Sequence, residues 1–400
     1  MYNIRKVTDD ITWIGASDRR LALFENIFPI SRGVSYNSYI LLDEQTVLFD
    51  TVDASVAGQF FENLEAVLEG RTLDYLIVNH MEPDHCAMIG DIVRRYPDVK
   101  IVGNTKTFGM MNQFFGTDFA DRSIVVKEGD TLSAGKHTLH FVMAPMVHWP
   151  EAMVTYDDVD KVLFSADGFG SFGALNGNIF ADEVDFDRDW LDDARRYYTN
   201  IVGKYGASVQ TLLKKAAGLD IAMICPLHGP VWRENLPYIL EKYQKWSTYE
   251  AEDQAVVIMY ASMYGNTASA ADALAGALAV RSVKKIAVYD VSNTHVSELI
   301  SEIFRASHLV FAVPTYNAGI YPVMENLLSD MKALAVQKKT VAVMENGTWA
   351  PTAAKHVKEK LGEMKDMTIL DAGLTIKSAM HAGQKAELDA LADEIVKSMM

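Results

Sequence analysis

A chain of 400 residues is too long for one ordinary core, so two or three domains are expected, and the 49% of hydrophobic residues is ample for burial. A formal net charge of −16 excludes nucleic acid and anionic membrane as principal partners, because both require a basic surface. No run of about eighteen apolar residues exists to span a membrane, and the start Met1-Tyr2-Asn3-Ile4-Arg5-Lys6, followed by Asp9-Asp10, lacks the apolar core of an export signal, so a cytoplasmic protein is the expectation. Two cysteines, Cys86 and Cys225, are too few for a disulfide framework, an iron–sulfur cluster or a four-cysteine metal site. A rubredoxin-type electron source would have to be another chain.

The first part reads as short strands at Ile11 to Ile14, Ser38 to Leu42 and Thr46 to Asp50, with a hairpin turn at Asp43-Glu44. A helix covers Ala54 to Leu68, with Gly70 as its C-cap. The strand Tyr75 to Val78 then leads into His80-Met81-Glu82-Pro83-Asp84-His85, four metal-ligand side chains in six residues, where Pro83 is expected to keep the loop out of regular helix or sheet. Ala87 to Tyr96 reads as helix.

Three later strands also end in ligand-type residues. Leu139 to Val142 leads towards His148-Trp149-Pro150, Val162 to Ser165 towards Asp167, and Ile221 to Pro226 towards His228-Gly229. In α/β and layered folds the carboxyl edge of a sheet is where loops converge on a ligand. Seven candidate metal ligands therefore gather from four loops: His80, Glu82, Asp84, His85, His148, Asp167 and His228. Taken singly, each would be read as structural. Together, three buried carboxylates would cost several kcal/mol of repulsion and desolvation unless cations compensated, and so many ligands point to two ions side by side. His137, His140, His295, His308, His356 and His381 show no such spacing and are read as structural.

A helix-rich stretch from Asp187 to Lys215 follows, and the polar segment Lys242 to Asp253 is read as a linker between domains spanning 1–250 and 251–400. Beyond it, strand and helix alternate: Val256 to Tyr260, helix Ala268 to Ala279, Ile286 to Tyr289, helix Val296 to Arg305, Leu309 to Val313, helix Tyr321 to Met331, Val341 to Met344, helix Thr352 to Leu361, Met367 to Leu370 and helix Ala386 to Met399. Five strands alternating with five helices make a doubly wound parallel sheet. Its first strand–helix turn, Ser262-Met263-Tyr264-Gly265-Asn266-Thr267, crowds hydroxyl and amide groups at a helix start, which favours a phosphate. The turn is neither a dinucleotide fingerprint nor a P-loop. Two more loops at that edge, Pro314-Thr315-Tyr316-Asn317-Ala318-Gly319 and Asn346-Gly347-Thr348-Trp349, complete a cradle that fits FMN, with Trp349 and Tyr316 placed to stack on the ring.

These residues resemble the flavodiiron (A-type flavoprotein) family: His80-x-Glu82-x-Asp84-His85, His148-Trp149-Pro150, Asp167 and His228 are similar to its metallo-β-lactamase-like domain, and the flavodoxin-like half completes it. Two small departures are Cys86, where alanine is common, and Tyr264-Gly265-Asn266, where some members carry tryptophan. The resemblance implies an αβ/βα sandwich, one iron held by His80, Glu82 and His148, another by Asp84, His85 and His228, and Asp167 as the bridge. In some members the histidine matching His85 is not a ligand. It also implies a head-to-tail homodimer or dimer of dimers, with the flavin of one chain facing the diiron centre of the other. A carboxylate at Glu82, where lactamase-type hydrolases usually carry histidine, favours iron over zinc, and a fused flavin has no role in hydrolysis. The expected activity is reduction of dioxygen to water, or of nitric oxide to nitrous oxide, with electrons entering through FMN from rubredoxin, a flavin reductase or reduced deazaflavin. Met81, Trp149 and Phe169 are candidates for a dry wall around the metals. The alternative is a dizinc hydrolase with an appended flavodoxin domain.

Overall fold

The computed structural model describes residues 1–400, and its contacts divide the chain into two units: 1–198 with 205–244, and 199–204 with 245–400. No helix is long and apolar enough to cross a membrane.

The first unit is built on two sheets. One has seven strands in the order Arg5–Lys6, Ile11–Trp13, Tyr39–Leu42, Thr46–Phe49, Tyr75–Ile77, Lys100–Gly103 and Ser123–Val125. Its first pairings are antiparallel, and from Thr46–Phe49 onward they are parallel. The other has five strands, Thr131–Ser133, Thr138–Met143, Met153–Asp157, Val162–Phe164 and Met223–Cys225, of which only the last pairs in parallel. The two sheets share one apolar core. Phe49 from the first stacks on Phe164 from the second, with ring centroids 3.7 Å apart, and Tyr39 meets Phe164 edge-on at 5.5 Å. A β-lactamase-like sandwich results, and the loops at one end of both sheets carry the candidate ligands.

The second unit is a parallel sheet in the order Ile286–Asp290, Asp253–Tyr260, Ala306–Tyr316, Thr340–Asn346 and Thr368–Ile376, with Gly319–Ile320 folded back on the third strand in sequence. Written by chain position this is 2-1-3-4-5, the flavodoxin order. The helices Asn266–Val280, Val296–Arg305, Pro322–Ala333, Ala353–Gly362 and Lys385–Ser398 alternate with the strands. The strand order reverses between the first and third strands, so the loops after Tyr260 and at 314–319 flank the switch point where such sheets bind ligands.

Several local expectations need correction. Pro83 does not prevent helix: it occupies the first turn of the short helix Pro83–Cys86, where its missing N–H and fixed φ cost nothing. The supposed linker begins inside the helix Leu236–Thr248, because Tyr243 and Trp246, three residues apart, bury the same face despite polar neighbours. The last strand continues past Leu370 to Ile376, since a bulge opposite Val341/Val343 absorbs the Asp371-Ala372-Gly373 interruption. In the helix that follows Ala54–Val56, the first left-handed residue is Glu69 (φ 48°), one position before Gly70.

Candidate functional site

The loop after Tyr75–Ile77 is fixed before it reaches its first ligand. Asp50, buried at the end of its strand, accepts hydrogen bonds from the Asn79 N–H (2.7 Å), the His80 N–H (3.1 Å) and Asn79 Nδ2 (2.8 Å). Burial pushes its carboxyl up to about 6 even though these bonds pull the other way. The Thr51 N–H and Oγ1 both donate to the His85 carbonyl, at 2.9 and 2.6 Å. From the opposite sheet, the His228 Nδ1–H donates to the Ser35 carbonyl (2.7 Å) and the Gly229 N–H to Ser35 Oγ (2.8 Å). Gly229 sits at φ 74°, and a Cβ there would lie 2.8 Å from that of Ser171, so this turn requires glycine.

All seven candidate ligands converge. His80, Glu82, His148 and Asp167 form one group and Asp84, His85 and His228 a second, with the ligand atoms of each group within 4.8 Å of one another. Asp167, fully buried, faces both. Its Oδ2 lies 3.2 Å from His80 Nε2 and 3.1 Å from His148 Nε2, while its Oδ1 lies 3.3 Å from His85 Nε2 and 3.7 Å from His228 Nε2. Glu82 Oε2 is 3.0 Å from His148 Nε2 and 3.3 Å from His80 Nε2, and Asp84 Oδ2 is 3.3 Å from His228 Nε2 and 3.5 Å from His85 Nε2. His85 thus turns its Nε2 inward, 3.0 Å from that of His228.

The electrostatics are those of a cation site. Both oxygens of Asp84 and both of Asp167 are buried without a well-formed hydrogen bond, which proteins rarely tolerate unless an ion satisfies them. Burial works against charge on His80 and His148, yet the Asp167 carboxylate and bonds to Glu82 outweigh it, raising His80 well above its usual value and His148 to about 9. Asp167 is held well below the usual carboxylate range, its burial overcome by the His80 charge and by the surrounding imidazoles. Protons on the histidines here do what cations would do. The donor set of imidazole nitrogens and carboxylate oxygens fits two first-row transition ions.

Four groups around the ligands were not among the residues singled out from the sequence. Glu151, buried, accepts from His80 Nδ1 at 2.8 Å, and Asp50 anchors the loop as described. Tyr197, also buried, lays its ring 5.5 Å from that of His228, and its hydroxyl has no hydrogen-bond partner. Glu25 stands at the tip of the hairpin formed by Leu23–Phe24 and Phe28–Pro29. As a residue it is exposed, but its carboxyl end is crowded, and this desolvation first, then the Glu82 charge, pushes it up to about 8. Only Glu151 lay in view, three residues after His148 in the same loop. Of the expected wall, Trp149 meets the His80 ring edge-on at 5.5 Å, Met81 is fully buried, and Phe169 packs instead on Tyr243 at 4.2 Å. Phe24 and Tyr36 add rings 5.4 and 5.7 Å from His228. His137 joins Asp10 and Asp160 in a third cluster, where Nδ1 binds Asp157 (2.9 Å), Nε2 binds Asp10 (3.1 Å) and Lys136 also neutralises Asp10.

In the second unit, a cleft of about 570 Å³ opens at the switch point. It is lined by Ser262, Met263, Tyr264, Asn266, Thr267, Pro314, Thr315, Tyr316, Asn317, Ala318, Asn346, Gly347, Thr348 and Trp349, joined by Ala350 and Ser378, which the sequence did not single out. Gly265 and Gly319 stand outside the lining: Gly265 (φ 89°) turns the chain into the helix Asn266–Val280, and Gly319 pairs with Tyr316. No side chain caps that helix, so N–H groups of its first turn stay free for an anion. Asn346 ties the loops together, donating to Thr267 Oγ1 (3.3 Å) and the Ser378 carbonyl (3.0 Å). Trp349 is 90% exposed and Tyr316 43%, leaving ring faces for a flat ligand.

A binuclear metal site and a mononucleotide-type cleft on separate units place the chain among metal-dependent flavoproteins. The sequence pattern of the ODP family beta lactamases matches residues 34–229, and that of the flavodoxins matches 258–394. The chain is similar to the anaerobic nitric oxide reductase flavorubredoxin of Salmonella paratyphi B, 32% identical over 390 residues that cover 96% of this chain and 79% of the relative. Among solved structures it is similar to the rubredoxin oxygen:oxidoreductase of Desulfovibrio gigas, with TM-score 0.91, 29% identity and coverage of 99% and 98% of the two chains. A flavoprotein of Thermotoga maritima gives TM-score 0.90 and 27% identity, covering 99% of this chain and 98% of that one. The chain belongs to the flavodiiron protein family and is an oxidoreductase, which sets the hydrolase alternative aside.

Proposed function

We propose that this chain is a cytoplasmic reductase of small diatomic gases, converting dioxygen to water or nitric oxide to nitrous oxide with electrons from an external donor. Its cofactors are FMN and a diiron centre. The observation that carries the reading is Asp167, one buried carboxylate whose two oxygens face two separate ligand groups. In this reading His80, Glu82 and His148 would hold one iron and Asp84, His85 and His228 the other, with Asp167, which faces both groups, shared between them. Bound there, FMN would supply single electrons and the iron pair two adjacent Lewis-acidic, redox-active ions for one substrate.

The surrounding residues have defined tasks. Phe24, Tyr36 and Trp149 keep the ligand rings dry, which strengthens every charge interaction inside. The Tyr197 hydroxyl, without a protein partner, is free to donate to an oxygen of the bound gas. Glu25 stands beside Glu82, where its crowded surroundings and the Glu82 charge push its carboxyl up in the ion-free protein. In the second unit the free N–H groups at Asn266 would receive the FMN phosphate, and the exposed rings of Trp349 and Tyr316 would be available to its isoalloxazine. The donor is rubredoxin, a flavin reductase or reduced deazaflavin, and a head-to-tail dimer would bring the flavin of one copy to the metals of the other.

The decisive experiment is anaerobic turnover of protein loaded with iron and FMN, given one chemical reductant and each gas in turn. Repeated removal of dioxygen or nitric oxide is expected, with nitrous oxide as the product in the second case. If fully loaded protein consumes neither gas beyond a single equivalent, the reading fails.

A further inference from the structure

The two metal half-sites are backed differently. On one side, the Glu151 carboxylate is 1% exposed, and its Oε1 accepts from His80 Nδ1 and from the Met81 N–H, both at 2.8 Å. Its Oε2 is buried with no hydrogen-bond partner, and its carbonyl accepts from Asn104 Nδ2 at 2.6 Å, so the residue is held at its backbone while its charge bears on His80. On the other side, His228 Nδ1 leans on the Ser35 carbonyl, a neutral dipole, and His85 Nδ1 is buried with no partner at all. The loop that delivers His148 also delivers Glu151, and Trp149 between them meets His80 edge-on at an interplanar angle of 86°.

We propose that Glu151 is a positioning residue whose carboxylate makes the ion held by His80, Glu82 and His148 the tighter bound and the harder to reduce of the two. An imidazole that donates to a carboxylate is oriented by it and becomes a stronger ligand than one donating to a carbonyl. The Glu151 charge also lies in a dry interior where screening is weak, and a negative charge near an ion favours its higher oxidation state. A purely structural Glu151 would do no more than accept the Met81 and His80 N–H groups, and a glutamine side-chain oxygen does that equally well. The inference rests on the metal assignment made above.

The test uses full-length, FMN-loaded protein stripped of iron, as wild type, Glu151→Gln and Glu151→Ala. Ferrous iron is titrated against a chelator, and the reloaded, oxidised protein is then reduced with dithionite, one electron per ferric ion and two per FMN, while the half-reduced iron pair is followed by electron paramagnetic resonance. Wild type is expected to bind two irons with unequal affinity and to be reduced in two separated steps. Glu151→Gln should weaken the tighter ion by about 10- to 100-fold, leave the weaker one unchanged and bring the two steps together. A glutamine variant that titrates and reduces like wild type overturns the proposal, and where only the alanine variant is altered the side chain acts by its shape and hydrogen bonds and not by its charge. If wild type itself takes up no iron, the metal assignment falls first, and that outcome is distinct from equal behaviour of the two loaded proteins.

Discussion

Replacing Asp167 by asparagine tests the centre of the argument with almost no change of shape. In the ion-free protein, the two oxygens of this fully buried carboxylate lie 3.1 to 3.7 Å from four imidazole nitrogens. Removing its charge leaves the histidines facing one another without their shared counter-charge. Breaking a buried ionic partnership in this way costs about 3–5 kcal/mol. For a unit of this size, that corresponds to a melting temperature lowered by roughly 6–20 °C. With iron, an amide offers one oxygen where the carboxylate offered two, so the variant should hold at most one iron per chain. Flavin content should be unchanged, because the cleft at 262–267 belongs to the other unit. The assays are iron and flavin analysis of reloaded protein and calorimetry of the iron-free form. Two irons per chain in Asp167→Asn, together with an unshifted melting point, would refute the bridging assignment.

Tyr197→Phe should stabilise the iron-free protein by about 1 kcal/mol, since a buried hydroxyl without a partner is a cost. It should also slow gas reduction about 10- to 100-fold, the worth of one bond to a charged oxygen, so calorimetry and turnover ought to move in opposite directions. Trp349→Ala should leave thermal stability alone, because the side chain is 90% exposed, and weaken FMN binding about tenfold by loss of stacking, measured by fluorescence titration. Lys339, buried, donates to the Phe304 and Ala306 carbonyls at 2.9 and 2.8 Å, and burial lowers it to about 7 against the opposing pull of Glu252. Its folded value lies below its unfolded one, so between pH 7 and about 10 the unfolded chain binds the extra proton, and stability rises with pH. Denaturation across that range should show wild type gaining several kcal/mol relative to Lys339→Met; parallel profiles would show that the ammonium is not desolvated.

The seven converging candidate ligands were legible because they are dense: four lie in six residues, and the other three each follow a strand. Residues that act only through contact were not. Asp50 at a strand end, Tyr197 at a helix end and Glu25 on a hairpin meet the site from segments far away in sequence, and no local period marks them. The alternation beyond residue 255 revealed the sheet because its three central strands are buried runs, but the 2-1-3-4-5 order depends on pairings that periodicity does not contain. The short strands Lys100–Gly103 and Ser123–Val125 escaped notice because three or four residues show too little alternation to stand out. Within Lys242 to Asp253 the helix as far as Thr248 is hidden by polar composition, because the spacing of Tyr243 and Trp246 only matters once a helix exists, while the division between the two units does fall inside this segment.

Every metal half-site draws side chains from both walls of the sandwich. His80 and Glu82 follow the seven-stranded sheet while His148 follows the five-stranded one, and Asp84 and His85 are matched by His228. Iron bound as proposed would act as a pair of rivets through the domain, and whatever free energy it contributed on binding would be withheld from any opened form. A cell short of iron would carry a looser, more protease-sensitive copy of this protein, so its abundance would follow metal supply without any dedicated regulator.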